Sequence, residues 1–301
     1  MSDTIKQFIK SKLLSLRKVF KGRSKVDNTV FSGRIKYRHN KFWSPADAEI
    51  IRNTIMDASY APEKWKNVEN WQRKLSNKYN SRQFASMHGC RVPELYWRGR
   101  DCNQIDFSSL PAHYVIRPTI GHSCKSVFLM KNGRNLMDGR SYPDAEIIKA
   151  LNKALADDHY QEFLIEEFVR TEEAEYKIPN DYKFYMFNGE LAFVQVINRF
   201  NRKKGFTSFY DKAWNLLENV NSIYKQAADL QVKPRCFDEM YAYAVSLSKT
   251  YEIFVRIDFY ATDKGAVFGE FTPTPGLGAA FTPFGDKLLI NYWDQFCKGM
   301  I

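Results

Sequence analysis

Apolar positions recur along this chain with two different periods. Over residues 3–21, Ile5, Phe8, Ile9, Leu13, Leu16 and Phe20 fall at helical spacing, and Lys6, Lys10, Arg17, Lys18 and Lys21 lie mostly elsewhere. That pattern predicts a basic amphipathic helix. A second helix is predicted from Ser44 as N-cap with Pro45 at its first position, its stripe formed by Ile50, Ile51, Ile55 and Met56. Residues 64–88 read as helical and polar, ending near His88-Gly89. The period then shortens. HYVIRP (113–118) and SVFLM (126–130) predict strands, followed by Asn132-Gly133 as a hairpin turn. A helix over 143–156 leads into FLIEEFV (163–169). YKFYMF (182–187) and LAFVQV (191–196) flank Asn188-Gly189, a strong hairpin signal. A last helix over 237–250 precedes EIFVRIDFY (252–260) and AVFGEFT (266–272). The expected class is α+β with antiparallel hairpins.

The last two strands carry the most informative chemistry. Strict alternation puts Arg256, Asp258 and Tyr260 on one face of the first, and Phe268, Glu270 and Thr272 on one face of the second. The ATDKG linker is short enough for a tight hairpin, and pairing 258 with 270 sets Asp258 opposite Glu270 and Arg256 opposite Thr272. Two carboxylates facing each other destabilise a strand pair by roughly 0.2–1 kcal/mol. A cation between them reverses the sign. Magnesium takes one or two carboxylates together with substrate phosphates, so this hairpin reads as a metal half-site. An exposed hairpin with solvated acids is the plainer reading. The PTPGLG run that follows suits a backbone approaching a ligand closely.

Other segments admit both a plain and a functional reading. RPTIGHSCKS (117–126) joins two predicted strands and contains Gly121 and Ser123 between Arg117 and Lys125. It is either a β-turn or a loop whose amides bind phosphate. Glu166 and Glu167 sit in an apolar strand on opposite faces, as one exposed acid or as a nucleotide contact. Asp181 and Lys183 share a strand face, as a surface ion pair or as a phosphate site. Cys124 reads as a passive loop thiol sooner than a reactive one. The five cysteines are odd in number and lack CxxC spacing, which points to reduced thiols in a cytoplasmic protein. No apolar run approaches the roughly 20 residues of a membrane span, and lysines interrupt any leader-like segment at the N-terminus.

Charge adds one distinction. The net charge is +11, but residues 1–41 hold twelve Lys and Arg against Asp3 and Asp27, leaving +1 on the remainder. A near-neutral body argues against a nucleic-acid partner. The arm over 1–25 either lies on an anionic membrane or polymer, as at an inner membrane surface, or packs on its own domain or a partner chain.

Taken in order, these segments resemble the TupA-like branch of the ATP-grasp superfamily over about residues 68–295. The resemblance rests on NKYNSRQFASMHGC, IDFSSLPAHYVIRP, DYKFYMFNGELAFVQV, FYDKAWNLL, FVRIDFY and FGEFTPTPGLG. It implies two α+β subdomains gripping ATP over 111–301, preceded by a small domain over 26–110. By the same resemblance, ATP and Mg2+ are the cofactors. Lys78 matches an upstream phosphate-binding lysine. Arg117 stands where the family usually has a phosphate-binding lysine, a departure that is not neutral because arginine binds through a planar fork. Gly121, Ser123 and Lys125 belong to the matching loop over the phosphates, which has fewer glycines than usual. Glu166, Glu167, Phe168 and Val169 match the strand over adenine, and Asp181 and Lys183 match the DYK element. Asp258, Glu270 and Thr272 match the metal site, Thr272 replacing a frequent asparagine. Arg256, with Lys183, matches the catalytic positions.

The resemblance implies an ATP-dependent carboxylate–amine ligase that works through an acyl phosphate in cell-surface polysaccharide biosynthesis, on carboxylate and amine substrates that include glycan-linked ones. Two alternatives stay open: a sugar kinase using the same nucleotide site, and a membrane- or polymer-binding adaptor with a degenerate site.

Overall fold

The computed structural model describes residues 27–121, 124–201, 205–223, 225–227, 229–299 and 301. The helix expected over 3–21 and the arm over 1–25 lie outside these residues, as does Ser123.

Two five-stranded antiparallel sheets organise the chain. The first has the order β1-β5-β2-β3-β4, with β1 Leu95–Gly99, β2 His113–Pro118, β3 Phe128–Lys131, β4 Arg134–Asn135 and β5 Phe163–Glu167. The second has the order β10-β9-β6-β7-β8, with β6 Asp181–Phe187, β7 Glu190–Arg199, β8 Gly205–Tyr210, β9 Val255–Thr262 and β10 Gly265–Thr272. This is the expected α+β class with antiparallel hairpins. Both Asn-Gly pairs turn as their chemistry demands. Asn132 and Gly133 have φ of 49° and 76°, Asn188 and Gly189 of 49° and 96°, the paired left-handed conformations of a tight hairpin.

Each sheet is covered on one face by a helix that buries its apolar stripe. Ile147, Leu151 and Leu155 of α5 (Asp144–Ala156) pack on Ile116, Phe128, Phe163 and Ile165 of the first sheet. Met240, Ala244, Leu247 and Tyr251 of α6 (Phe237–Tyr251) pack on Phe184, Ile257 and Phe259 of the second. The opposite face of the second sheet divides in two. One end is apolar and lies under α1 (Phe31–Trp43) and α7 (Pro283–Phe296), where Phe31, Phe254 and Trp293 meet edge to face or stacked. The other end is polar and carries the candidate site.

The N-terminal third departs most from the expected pattern. Ser44 does not start a helix. It closes α1, its N–H bonding Asn40 O in a right-handed conformation, and Pro45 follows as prolines often do after a helix end. The next helix, α2, is only Ala48–Asn53, and Ile50 and Ile55 are exposed while Ile51 and Met56 are buried. The span 64–88 is broken into α3 (Pro62–Trp65), a 3-10 turn over Trp71–Ser76 and α4 (Lys78–Met87), the last capped by Asn77 Oδ1 on the amides of Tyr79 and Asn80. Nor is that span a solvated face, because Gln72, Arg73, Lys74, Asn80 and Arg82 are buried. Lys74 Nζ, for instance, caps the carbonyls of Lys64 and Trp65. Residues 27–110 contribute β1 to the first sheet and Trp65, Trp71 and Phe84 to the core of the second. No helix among the described residues is long and apolar enough to cross a membrane.

Candidate active site

The β9–β10 hairpin turns over Asp263 and Lys264, and it pairs Glu270 with Asp258 and Thr272 with Arg256. That is the expected register, reached by an unexpected route. From the turn, pairing runs Thr262 with Gly265 through to Phe259 with Phe268, and Gly269 is then an extra residue on β10. The bulge restores Glu270 to the position opposite Asp258; without it Asp258 would face Gly269. It also corrects the expected face of Phe268, which lies with Phe259 and Phe271 in the core and not beside Glu270. A Cβ on residue 269 would stand 3.0 Å from Asp258 O and 3.3 Å from Tyr260 Cε2, so glycine suits the close approach.

On the polar face β6, β9 and β10 bring one network of charges together. Arg256 holds Asp258 with both ends of its fork, Nε to Oδ1 and Nη2 to Oδ2, each at 2.7 Å. Its Nη2 also lies 3.3 Å from Glu270 Oε1 and 2.9 Å from Thr272 Oγ1. Lys183 faces Asp258 across the β6–β9 pair, and its ammonium donates to Asp258 Oδ2 and to Asp181 Oδ2 (2.5 Å). From α4, Lys78 Nζ donates to Gly121 O at 3.1 Å and stands 3.7 Å from Glu270 Oε2. From β2, Arg117 joins Glu166 on the first sheet to Gly269 O on the second.

The balance of burial and pairing sets the charge states. Burial raises the Asp258 carboxyl by more than Arg256 and Lys183 lower it. Burial and Arg256 pull Lys183 down, yet Asp181, Asp258 and Glu270 outweigh them and raise it. Arg256 is likewise raised, Asp258 overcoming burial. The two cations keep their charge because the carboxylates beside them favour it. At Glu270 burial acts upward, but Lys78, Arg256, Lys183 and Arg117 together hold the carboxyl at about 2.

That low value sets a pH dependence. Glu270 stabilises the fold fully above its ordinary 4.5, and the contribution is lost as pH falls from there through about 2. Solvent reaches 33% of the side chain and screens part of the effect. In urea titrations Glu270→Gln is expected to be less stable than the parent above pH 4.5, with the gap closing as pH falls toward 2. A gap independent of pH would show that its cationic neighbours do not set the charge of Glu270.

The residues fit a magnesium half-site. Asp258 Oδ2, Glu270 Oε1 and Thr272 Oγ1 all converge on one cationic nitrogen, Arg256 Nη2, so these three oxygens already gather around positive charge. Among the described residues no group of three or more His, Cys, Asp or Glu side chains is placed to hold a metal, so such an ion would need further oxygens from a phosphate substrate. Lys78 and Lys183 flank the carboxylates as phosphate-compatible cations.

Of the other expected residues, Gly121 and Glu166 touch this network through Lys78 and Arg117, and Glu167, Phe168, Val169 and Lys125 stand apart from it. Glu167 accepts from Lys264 Nζ at 2.5 Å. Phe168 and Val169 are buried, Phe168 edge-on to Tyr176. Lys125 is exposed in a turn, and Gly121 takes φ of 115° at its start. Glu166 is 2% exposed, with its carboxylate on Arg117 and near Arg82. Two participants escaped sequence reading. Arg82 lies one helical turn beyond Lys78, a spacing that puts both on one face of α4. Gly269 breaks an alternating strand, which is itself a bulge signal.

Solved structures similar to the chain include D-alanine–D-alanine ligase from Helicobacter pylori, 16% identical over 75% of this chain and 62% of that one, with a TM-score of 0.47. The Bacillus anthracis D-alanine–D-alanine ligase is 14% identical over 75% and 66%, with a TM-score of 0.48. D-cycloserine synthetase DcsG is 13% identical over 78% and 76%, with a TM-score of 0.47. The chain thus spans under two thirds of the length of the two D-alanine–D-alanine ligases. No curated protein matches the sequence. The TupA-like ATP-grasp family matches residues 61–291, a stretch that holds every site residue from Lys78 to Thr272. ATP and Mg2+ are the cofactors of ATP-grasp ligases. With the match covering well over half of its length, the chain belongs to the TupA-like ATP-grasp family.

Proposed function

We propose that this protein is an ATP- and magnesium-dependent carboxylate–amine ligase that forms an amide through an acyl phosphate. The observation that carries the reading is the convergence of Asp258, Glu270 and Thr272 on one cationic point, flanked by Lys78 and Lys183. In this reaction a substrate carboxylate oxygen attacks the γ-phosphorus of ATP and ADP leaves. An amine nitrogen then attacks the acyl carbon, phosphate leaves, and the amine loses a proton. Asp258, Glu270 and Thr272 would hold magnesium, which neutralises charge on the transferring phosphoryl group. Lys78 and Lys183 meet phosphate oxygens. Arg256 donates to negative charge developing on the acyl oxygen, already oriented by its bidentate hold on Asp258. The segment 166–169 lies along adenine, and the loop containing Gly121, Ser123 and Lys125 closes over the phosphates and keeps water from the intermediate. Family membership supports a cell-surface polysaccharide or its precursor as the molecule modified, and the basic charge of residues 1–25 supports contact with an anionic surface.

Hydroxylamine tests the chemistry. Supplied with ATP, magnesium, hydroxylamine in excess and one amino acid or acidic sugar at a time as the carboxylate, with no second amine substrate added, the enzyme is expected to release ADP and phosphate and to yield a hydroxamate with the correct carboxylate. A phosphorylated sugar formed in stoichiometric amount with ADP, without free phosphate or hydroxamate, would establish a kinase instead.

A further inference from the structure

A bulge leaves an extra residue outside the regular ladder, and a buried carbonyl needs a donor from elsewhere. At Gly269 the donor comes from the other sheet: Arg117 Nη1 lies 3.2 Å from Gly269 O. The rest of the same guanidinium is bound to Glu166, Nε to Oε2 at 2.5 Å and Nη2 to Oε1 at 3.3 Å. Glu166 is in turn flanked by Arg82, whose Nη1 stands 3.4 Å from Oε1 and whose Nη2 donates to Pro93 O at 2.6 Å. Glu166 and Arg82 are buried, at 2% and 6% exposure, so this chain is shielded from the solvent that weakens surface ion pairs.

We infer that Arg82, Glu166 and Arg117 form a positioning clamp that fixes the Gly269 bulge and thereby sets Glu270 opposite Asp258. Arg117 acts here through the metal carboxylates and not as a ligand of phosphate. The inference rests on the proposed metal site for its consequence in binding, but the clamp itself is a property of the protein alone. Arginine at 117 then has a physical reason. A planar fork spans a carboxylate and a carbonyl in fixed directions, whereas the compact ammonium of lysine holds neither direction rigidly. The clamp also gives Glu166 a use for its side chain that leaves the backbone of the following residues free to lie along a base.

Arg117→Lys keeps the charge and loses the fork. Three readouts apply to the purified variant: amide hydrogen exchange over 268–271, affinity for ATP without metal, and affinity for Mn2+ in the presence of a non-hydrolysable ATP analogue. The clamp predicts exchange faster by about tenfold or more in 268–271, Mn2+ affinity lower by a similar factor, and metal-free ATP affinity changed less than about twofold. Should Arg117→Lys fail to fold, Arg82→Lys, which keeps a charge beside Glu166 and loses the fork that also reaches Pro93 O, is read the same way. Unchanged exchange with a large loss of metal-free ATP affinity would overturn the clamp and make Arg117 a phosphate ligand. Lower thermal stability with exchange in 268–271 and metal affinity both unchanged would also overturn it, leaving a merely structural ion pair. If the unmodified protein binds neither ATP nor Mn2+, the proposed function fails, and the exchange rates still decide on the clamp.

Discussion

Asp258→Asn or Glu270→Gln is expected to lower magnesium-dependent ATP turnover by at least about a hundredfold, because the metal they are proposed to hold would offset much of the phosphoryl charge. The two substitutions remove charge at different depths. Asp258 is 2% exposed and accepts three charge-assisted hydrogen bonds, so Asn leaves Arg256 and Lys183 with less compensation and should also destabilise the fold. Glu270 is partly exposed and shares Arg256 with Asp258, so Gln should cost less stability for a similar loss of turnover. Comparing steady-state ADP release with the urea midpoint for each variant separates the two effects. Near-normal turnover at saturating magnesium in either folded variant would remove the two-carboxylate site.

The hairpin that carries this site was legible in sequence because its loop is short. A tight turn fixes register within a residue, and two acids in apolar strands have few ways to be accommodated. What alternation alone could not reveal was the bulge: Gly269 adds one residue and moves Phe268 to the other face. The two Asn-Gly hairpins were legible for the same reason as the site, a backbone conformation that few residue pairs adopt. Helix α1 was hidden by its own chemistry. Its buried stripe of Phe31, Ile35, Arg38 and Phe42 has helical spacing, but it includes an arginine and is interrupted by Arg34, Lys36 and Lys41. For the buried Arg38 the fold supplies part of what solvent would: Nη1 donates to Phe254 O at 2.6 Å and the guanidinium lies 4.5 Å from the Trp293 ring, while Nε and Nη2 have no hydrogen-bond partner. Both partners are more than 200 residues away in sequence. Arg82 is buried on a carbonyl partner that is near in sequence, Pro93 in the segment before β1, and a carboxylate partner that is not, Glu166 in β5. Charge reads as surface in a sequence until distant partners are placed beside it.

Lys183 carries the clearest stability consequence. Its ammonium sits between Asp181 and Asp258 on the polar face of β6 and β9, with only 8% of the side chain exposed. Removing one member of a buried ion pair costs about 3–5 kcal/mol, because the charge left behind keeps its desolvation penalty without its partner. Lys183→Met preserves the length of the side chain and removes the charge, and an effect near that range is expected. Asp258 would keep Arg256. Asp181 has no equivalent substitute: its Oδ1 already has no hydrogen-bond partner, and the substitution takes the Lys183 contact from Oδ2. The deficit should therefore localise on Asp181. Adding Asp181→Asn to Lys183→Met is expected to recover a substantial part of the lost stability, although Asp181→Asn alone removes a partner of Lys183 and should be destabilising. Chemical denaturation of the four proteins closes the cycle and gives the coupling between the two side chains. A Lys183→Met protein as stable as the parent, or a double variant no more stable than Lys183→Met, would mean that Asp181 finds its compensation in solvent and that the cluster is held by Arg256 alone.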